Sequence, residues 1–176
     1  MCKNIDAQTM KPPFLITTLN KAHDRNAFYS GSEMLDRYLK QQVTQDIRRN
    51  LTACFVALNN EKQIAGYYTL SSASIALDAL PESLIKQLPR YTSLPAARMG
   101  RLAVAKTYQG MGLGATLLTD AIMRAKQLNR EIGMYALLVD AKDEHAAMFY
   151  LHHGFIRFTN SPQTLFLPLS QISLQN

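Results

Sequence analysis

Alternating apolar and polar positions in the first third of the chain predict three strands. Phe14–Leu19 is a short run of β-favouring residues and is expected to form the first strand. Two further apolar runs, Thr52–Leu58 and Gln63–Leu70, flank the polar residues Asn59–Lys62. Because a short polar turn between two such runs is typical of a hairpin, we expect these two strands to pair antiparallel.

A helix is predicted between the first strand and this hairpin. Its apolar residues recur at helical spacing and are expected to face the core, namely Met34, Leu35, Tyr38, Leu39, Val43 and Ile47. Ser30 and Glu33 have the spacing of a capping box. The helix is therefore expected to begin there, with the Ser30 side chain capping a backbone N–H group.

The second half of the chain contains a predicted strand–helix–strand unit. Pro81 and Pro89 bound a short helix, and Pro89–Pro95 is predicted as a loop that leads into a strand ending at Val104. An amphipathic helix follows, with an apolar face formed by Leu113, Leu117, Leu118, Ala121, Ile122, Ala125 and Leu128. The apolar run Met134–Asp140 is expected to be a central strand. The two strands should then lie parallel, with a right-handed crossover.

A further helix and two strands are predicted after this unit. Asp143–His153 has helical composition with acidic residues at its start, and Gly154 is expected to end that helix. The final strands are predicted at Phe155–Phe158 and Leu165–Leu169, joined by a turn over Thr159–Thr164.

Length and composition favour one globular domain. A chain of 176 residues can bury one sizeable core, so we expect a single domain over residues 1–176, with 1–13 as a flexible lead. Hydrophobic residues make up 47%, but no apolar run approaches the roughly 18 residues of a membrane span. The polar N-terminal residues are unlike a signal peptide, so a soluble cytoplasmic protein is expected, without a membrane partner. Cys2 and Cys54 indicate neither a disulfide framework nor a thiolate metal site.

A glycine-rich loop joins the strand that ends at Val104 to the helix after it. Gly110, Gly112 and Gly114 occupy three of five positions. Glycine lets a ligand approach the main chain, and the N-terminus of the following helix favours an anion, so the loop is a candidate pyrophosphate site. The dinucleotide fingerprint has a different glycine spacing. A turn without a ligand is the alternative interpretation.

With Gln109, the loop has the form Gln-x-x-Gly-x-Gly and resembles the acetyl-CoA site of the GNAT acetyltransferases. This resemblance implies an α/β (α+β) GNAT fold, a central mixed, mostly antiparallel sheet flanked by helices, with a splayed parallel pair of strands at the acetyl-CoA site. It also implies acetyl-CoA as co-substrate and no metal. The implied contacts are backbone pairing of pantetheine with Leu102, Ala103 and Val104, and N–H groups around the pyrophosphate from Gln109, Gly110, Met111, Gly112, Leu113, Gly114 and Ala115.

A second resemblance to the same family is the segment Phe149–Phe155, which has the form Phe-Tyr-x-x-x-Gly-Phe. In that family the tyrosine commonly lies beside the thioester sulfur, which implies that Tyr150 is the general acid. A phenol of pKa about 10 can protonate a thiolate whose conjugate acid is near 8.5. The alternative is a tyrosine that only fills the core.

No general base is evident on the strand before the loop, because Arg98–Ala105 contains no carboxylate. An attacking amine must be uncharged, which is costly for a lysine of pKa about 10.4 and cheap for an α-amino group near 8. An α-amine deprotonated by water is therefore favoured. The lesser base candidates are Asp140, Asp143, Glu144 and His145.

Several segments together resemble the acetyltransferase toxins of bacterial toxin–antitoxin pairs, namely Gly66–Leu70, Gly100–Val104, Gln109–Gly114, Leu138–Ala141 and Phe149–Tyr150. This resemblance implies acetylation of the α-amino group of aminoacyl-tRNA, a ribbon-helix-helix antitoxin, operator DNA bound only through the antitoxin complex, and a homodimer. The formal charge of +6 agrees with a polyanionic substrate but also with ordinary solubility. The basic residues that are candidates for binding tRNA are Arg37, Lys40, Arg48, Arg49, Arg90 and Arg98.

Two other functions remain open at this level. The first is a GNAT enzyme that acetylates a small-molecule or protein amine. The second belongs to another class, a coenzyme A binding module that assists a DNA-binding partner in repression.

Overall fold

Seven strands form one mixed sheet in the computed structural model, which describes residues 14–173. Their order across the sheet is β1-β2-β3-β4-β5-β7-β6. Within the described residues, β4 and β5 pair parallel and every other neighbouring pair is antiparallel. The strands are β1 (Leu15–Thr18), β2 (Ala53–Leu58), β3 (Ile64–Ala76), β4 (Ser93–Val104), β5 (Ala136–Asp140), β6 (Ile156–Phe158) and β7 (Ser161–Pro168).

Helices cover both faces of this sheet. They are α1 (Glu33–Arg37), α2 (Val43–Arg48), α3 (Glu82–Ile85), α4 (Leu113–Leu128) and α5 (Glu144–His152), and a π-helical segment, Tyr38–Gln42, joins α1 to α2. Leucines and alanines of α4 pack with Tyr68 and Met99 on one face, where α5 also packs. Residues of α1 and α2 pack with Tyr67 on the opposite face. Tyr67 and Tyr68 are adjacent and point to opposite faces, as successive strand residues do. Both are fully buried because helices cover each face.

The close approach of α4 to the sheet depends on Gly66 in β3. A Cβ atom at this position would lie 2.8 Å from Cδ1 of Leu117 and 3.0 Å from the main-chain oxygen of Ala103. Only a residue without a side chain therefore lets α4 pack at this depth against β3 and β4. This contact fixes the start of α4 relative to the open part of the sheet described below.

The predicted fold class and most predicted elements are confirmed. The hairpin, the parallel strand–helix–strand unit and the last helix form as expected, and Gly154 adopts a φ of 89° after α5. The strands β3 and β4 are longer than predicted because they extend as a second hairpin over Leu70–Ala76 and Ser93–Met99. The predicted loop Pro89–Pro95 and the predicted turn Thr159–Thr164 were therefore too long, since both end in strand residues.

The capping box predicted at Ser30 and Glu33 is wrong. The helix begins at Glu33 with Ser32 as its N-cap, and no side chain caps it. The Ser30 hydroxyl instead donates a hydrogen bond of 2.6 Å to Oδ1 of Asp36, which also accepts the Ser30 backbone N–H. In a capping box the Glu33 carboxylate would accept the Ser30 backbone N–H, but the buried Asp36 carboxylate accepts it here. Met34, predicted to face the core, has 61% of its surface exposed.

None of the described helices is long and apolar enough to cross a membrane. Residues 1–13, predicted as a flexible lead, lie outside the described residues.

Candidate active site

A gap opens in the sheet where β4 and β5 diverge. Their pairing runs from Ala96–Ala136 to Met99–Val139 and stops there. From Arg101 to Val104, β4 remains paired only with β3. The main-chain groups on the other edge of this part of β4 are thus open to a ligand, which can pair with them as an added strand does.

The divergence coincides with a β-bulge at Gly100. Met99 lies opposite Leu70 and Arg101 opposite Thr69, so Gly100 is the extra residue of the bulge. A bulge shifts the alternation of side chains by one position. As a result Arg98 and Arg101, three residues apart, point to the same face of the sheet, which is also the face of α1.

The glycine-rich loop lies at the end of this open edge. Gly110 and Gly112 have φ angles of 78° and 82°, and Gly112 is the N-cap of α4. The first backbone N–H of α4 with a partner in the helix is that of Thr116, which bonds to the Gly112 oxygen. The preceding N–H groups have no partner within the helix, so the loop presents several donors at a positive helix end. This geometry suits a pyrophosphate.

The Gln109 side chain connects the glycine-rich loop to the start of α1. Its Nε2 donates to the main-chain oxygens of Ser30 at 2.7 Å and Val104 at 2.9 Å. The backbone N–H of Lys106 also donates to the oxygen of Tyr29 at 2.8 Å. The side-chain amide nitrogen of Gln109 therefore holds two segments together, and its backbone N–H donates to the Lys106 oxygen at 3.4 Å.

A cleft of about 450 Å³ lies between the diverging strands. Its lining includes Met34 and Leu35 of α1, Gly100–Leu102 of β4, Asp140 at the end of β5, and Tyr150 of α5. Tyr150 has only 6% of its surface exposed. Burial, and then the negative charge of Asp140, raise the pKa of the Tyr150 phenol above its ordinary value. Tyr150 thus keeps its proton across the physiological pH range and can act as a proton donor.

An ion pair crosses the mouth of this cleft. Nη1 of Arg98 contacts Oδ2 of Asp140, and the Thr164 hydroxyl donates to the other oxygen of Asp140 at 3.1 Å. Both charged side chains remain partly exposed, at 37% and 44%. The carboxylate nearest to Tyr150 in the cleft is consequently engaged with a cation.

Comparison with known proteins identifies the family. Residues 50–157 match the acetyltransferase (GNAT) domain family. The chain belongs to the GNAT acetyltransferases.

This GNAT chain is 34% identical over 149 residues to a tRNA-acetylating toxin of Mycobacterium tuberculosis, covering 85% of this chain and 88% of that protein. Its structure resembles that of AtaT complexed with acetyl-methionyl-tRNAfMet, with a TM-score of 0.84 at 30% identity over 90% of this chain and 96% of AtaT. It also resembles a mutant AtaT toxin bound to the C-terminus of the antitoxin AtaR and acetyl-CoA, with a TM-score of 0.76 at 26% identity over 90% and 94% of the two chains.

The lesser base candidates of this GNAT chain have other partners or lie on the surface. Asp143 is the N-cap of α5 and accepts the Ala146 N–H at 2.8 Å. Glu144 pairs with Arg157, and His145 is exposed. Asp140 remains in the cleft but carries the ion pair with Arg98. Among the described residues, no group of three His, Cys, Asp or Glu side chains is placed to hold a metal.

The candidate tRNA-binding residues of this GNAT chain separate into two groups. Arg98 lines the cleft. The others are outside its lining, on the α1–α2 region or in the loop after α3, and are exposed or half-buried, namely Arg37, Lys40, Arg48, Arg49 and Arg90.

Of the proposed cofactor-binding residues, Leu102 lines the cleft and Ala103 is buried beneath it, while Val104 is half-buried. The segment Gly100–Val104 contributed to the family resemblance, but Gly100 and Arg101 were not among the predicted site residues, because the position of a bulge is visible only once the strands are paired. Arg101 also lines the cleft.

Proposed function

We propose that this acetyltransferase transfers the acetyl group of acetyl-CoA to the α-amino group of aminoacyl-tRNA and acts as the toxin of a toxin–antitoxin pair. The observation that carries this proposal is the cleft between β4 and β5, which joins a buried, protonated Tyr150 to an open strand edge and a cationic wall. Its likeness over 90% of the chain to AtaT complexed with acetyl-methionyl-tRNAfMet supports the choice of substrate.

The site residues fit acetyl-CoA as co-substrate. The open edge of Leu102–Val104 would pair with pantetheine, and the N–H groups of Gly110–Ala115 would surround the pyrophosphate, with Gln109 supporting the loop. A Cβ at Gly110 would meet no atom within 4 Å, so this part of the loop faces open space. When bound, acetyl-CoA supplies an acetyl thioester at the cleft.

Tyr150 acts as the general acid in the proposed reaction. The nitrogen of the substrate amine forms a bond to the acetyl carbon, and the bond from that carbon to sulfur breaks. Tyr150 donates its phenolic proton to the departing sulfur, the amine loses one proton to water, and Tyr150 regains a proton from the solvent. Because burial keeps the Tyr150 phenol protonated at neutral pH, a proton is available to the sulfur as the carbon–sulfur bond breaks.

Water is the proposed acceptor of the amine proton. The cleft holds the Asp140 carboxylate, but Arg98 and Thr164 occupy both of its oxygens. An α-amino group near pKa 8 is partly uncharged at neutral pH, so it needs no strong base. This favours an aminoacyl ester over a lysine side chain as the acceptor.

The remaining assignments belong to the same proposal. The chain acts in the cytoplasm as a single domain over residues 1–176 and as a homodimer. Its antitoxin is a ribbon-helix-helix protein, and operator DNA is bound only through the antitoxin complex.

The proposal is tested by incubating the purified protein with labelled acetyl-CoA and charged tRNA. Label is expected on the aminoacyl group and is expected to be absent with uncharged tRNA. Expression of the chain alone is expected to arrest growth. Efficient acetylation of a polyamine or a protein lysine, without transfer to charged tRNA and without growth arrest, would instead identify an ordinary GNAT enzyme. Tight acetyl-CoA binding without transfer to any amine would favour the co-repressor module.

A further inference from the structure

Arg101 is held rigidly in the wall of the cleft. Its guanidinium carbon lies 3.4 Å from the centre of the Tyr38 ring, the distance of a close cation–π stack. Tyr38 is 2% exposed and its hydroxyl donates to Oδ2 of Asp46 at 2.8 Å. Burial and the hydrogen bond to Asp46 therefore fix the Tyr38 ring, and stacking on this ring fixes the plane of the Arg101 guanidinium.

The bulge at Gly100 places this arginine at the point where the sheet opens. In a strand that alternates regularly, residues 99 and 101 share a face, so without the bulge Arg101 would lie on the face of Met99, which is buried against α4. With it, Arg101 lies on the side of α1, and its neighbours in the cleft wall are Gly100 and Leu102. The glycine-rich loop begins beyond Val104, about 10 Å further along the strand at 3.3 Å per residue. Arg101 is thus on the acceptor side, separate from the pyrophosphate loop.

A carboxylate neutralises the positive charge of Arg98, but among the described residues none pairs with Arg101. The partner of Arg98 is Asp140. The lining of the cleft also includes Lys142, so it carries three cations and one carboxylate. A guanidinium that stacks through its face keeps its N–H edge for another partner, and that edge matches phosphate geometry.

We propose that Arg101 binds a phosphodiester of the 3′-terminal nucleotides of the aminoacyl-tRNA and so positions the aminoacyl ester beside Tyr150. This inference rests on the proposed function and adds a contact to it. The occupant is a phosphate of the acceptor strand, because an aminoacyl group in the cleft brings its own terminal nucleotides to the cleft wall. The stack on Tyr38 organises the arginine in advance, which lowers the entropy lost on binding.

The test compares three acceptors in the purified enzyme and its Arg101→Ala variant. They are charged tRNA, an aminoacylated terminal dinucleotide with one phosphodiester, and an aminoacyl-adenosine with none. A lost hydrogen bond between charged groups corresponds to a roughly 10- to 100-fold higher KM. This rise is expected for the first two acceptors and not for the third, and the KM for acetyl-CoA is expected to stay unchanged.

Salt dependence gives a second readout that a merely structural role would not change. Each lost contact to a single-strand phosphate lowers the slope of log affinity against log salt by about 0.7. Arg101→Ala is expected to show this reduction. Arg101→Lys keeps the charge and the aliphatic stem, so it is expected to keep the salt slope while losing part of the affinity, and it serves if the alanine variant folds poorly.

Arg124→Ala is the matched control. Arg124 also stacks on an aromatic ring, 4.1 Å from the centre of Phe55, but it lies on the opposite face of the sheet and pairs with Asp120. This variant is expected to leave all three acceptor KM values unchanged. An equal KM for charged tRNA in the enzyme and its Arg101→Ala variant, or an equal rise with aminoacyl-adenosine, would overturn the phosphate contact. Absence of transfer to charged tRNA by the unaltered enzyme would instead overturn the proposed function.

Discussion

Both halves of β4 are strand, but the first half is paired inside the sheet and the second half lines the cleft. Before Gly100, the strand is paired on both edges over Ala96–Met99, and Ala96, Ala97 and Met99 are at most 4% exposed. After Gly100, it is paired on one edge, and Arg101, Leu102 and Val104 are half-buried. The residue types do not explain this difference, since both halves are largely apolar. The loss of one strand partner explains it, because unpaired main-chain groups next to a cleft are available to a ligand.

The open half is also the half in which the reacting groups meet. Tyr150 comes from α5 and Leu35 from α1, and both line the cleft only because β5 has moved away from β4. Substitutions of residues that line the open half should therefore change catalysis. Substitutions of residues that pack between this part of the sheet and α4 should change stability.

The largest effect is expected from Tyr150→Phe in the open half. Loss of a general acid typically costs 10²- to 10⁴-fold in rate, about 3 to 5 kcal/mol. We expect kcat to fall by this factor, with the KM for acetyl-CoA and the melting temperature nearly unchanged. A variant that retains full transfer activity and toxicity would show that another group protonates the sulfur.

The pH dependence of the unaltered enzyme sharpens the same assignment. Because the pKa of Tyr150 in the folded protein is raised, its proton is retained as pH rises past the ordinary value of about 10. The kcat profile should therefore show no loss attributable to phenol ionisation up to about pH 9.5. A decline with a midpoint near pH 8 would contradict Tyr150 as the acid.

A smaller effect, on stability rather than turnover, is expected from Gly66→Ala behind the open half. The added Cβ would lie 2.8 Å from the Leu117 side chain and 3.0 Å from the Ala103 oxygen, and the backbone atom cannot move aside easily. Overpacking of this kind costs about 1 to 3 kcal/mol. Urea denaturation measures the loss, and Gly133→Ala, with no atom within 4 Å of its Cβ, is the control expected to show none.

Gly112→Ala in the loop at the end of the open half should act mainly on acetyl-CoA. The φ of 82° at this position is unfavourable for alanine by about 1 to 2 kcal/mol. We expect the KM for acetyl-CoA to rise about tenfold. Gly114→Ala introduces only contacts of 3.8 and 3.9 Å and should leave the fold of the loop intact. Equal behaviour of the two variants would argue against backbone conformation as the cause.

The smallest effect is expected from Asp140→Asn at the mouth of the cleft. The ion pair with Arg98 is partly exposed on both sides, so its loss should change the free energy of unfolding by less than about 1 kcal/mol. Removal of the negative charge should lower the pKa of Tyr150 slightly, because the charge of Asp140 raises this pKa, although less than burial does. Chemical denaturation measures the change in stability, and the kcat profile is expected to stay free of phenol ionisation up to about pH 9.5, as in the unaltered enzyme.

Local sequence patterns predicted the elements whose formation depends on neighbours in the chain. The Gln-x-x-Gly-x-Gly loop, the helix after it and the cap at Gly154 are of this kind. The capping box failed because the buried Asp36, six residues from Ser30, accepts the Ser30 N–H in place of the exposed Glu33. Spacing alone cannot rank two carboxylates that differ in burial.

The composition of the cleft wall was less predictable for a different reason. Arg101 is placed by a single extra residue, Gly100, and its stack on Tyr38 joins positions 63 residues apart in the sequence. The Arg98–Asp140 pair likewise depends on the parallel register of β4 and β5. Such contacts follow from the register of the sheet, which hydrophobic alternation does not fix by itself, since a shift of two residues preserves it.

The hydrogen bonds of Gln109 have a consequence for movement in the cleft. One amide nitrogen holds the oxygens of Ser30 and Val104 together, and Ser30 is in turn bound to Asp36 of α1. The glycine-rich loop and α1 are therefore held together by hydrogen bonds and are expected to move together. A displacement on either side must carry the other with it or break this junction.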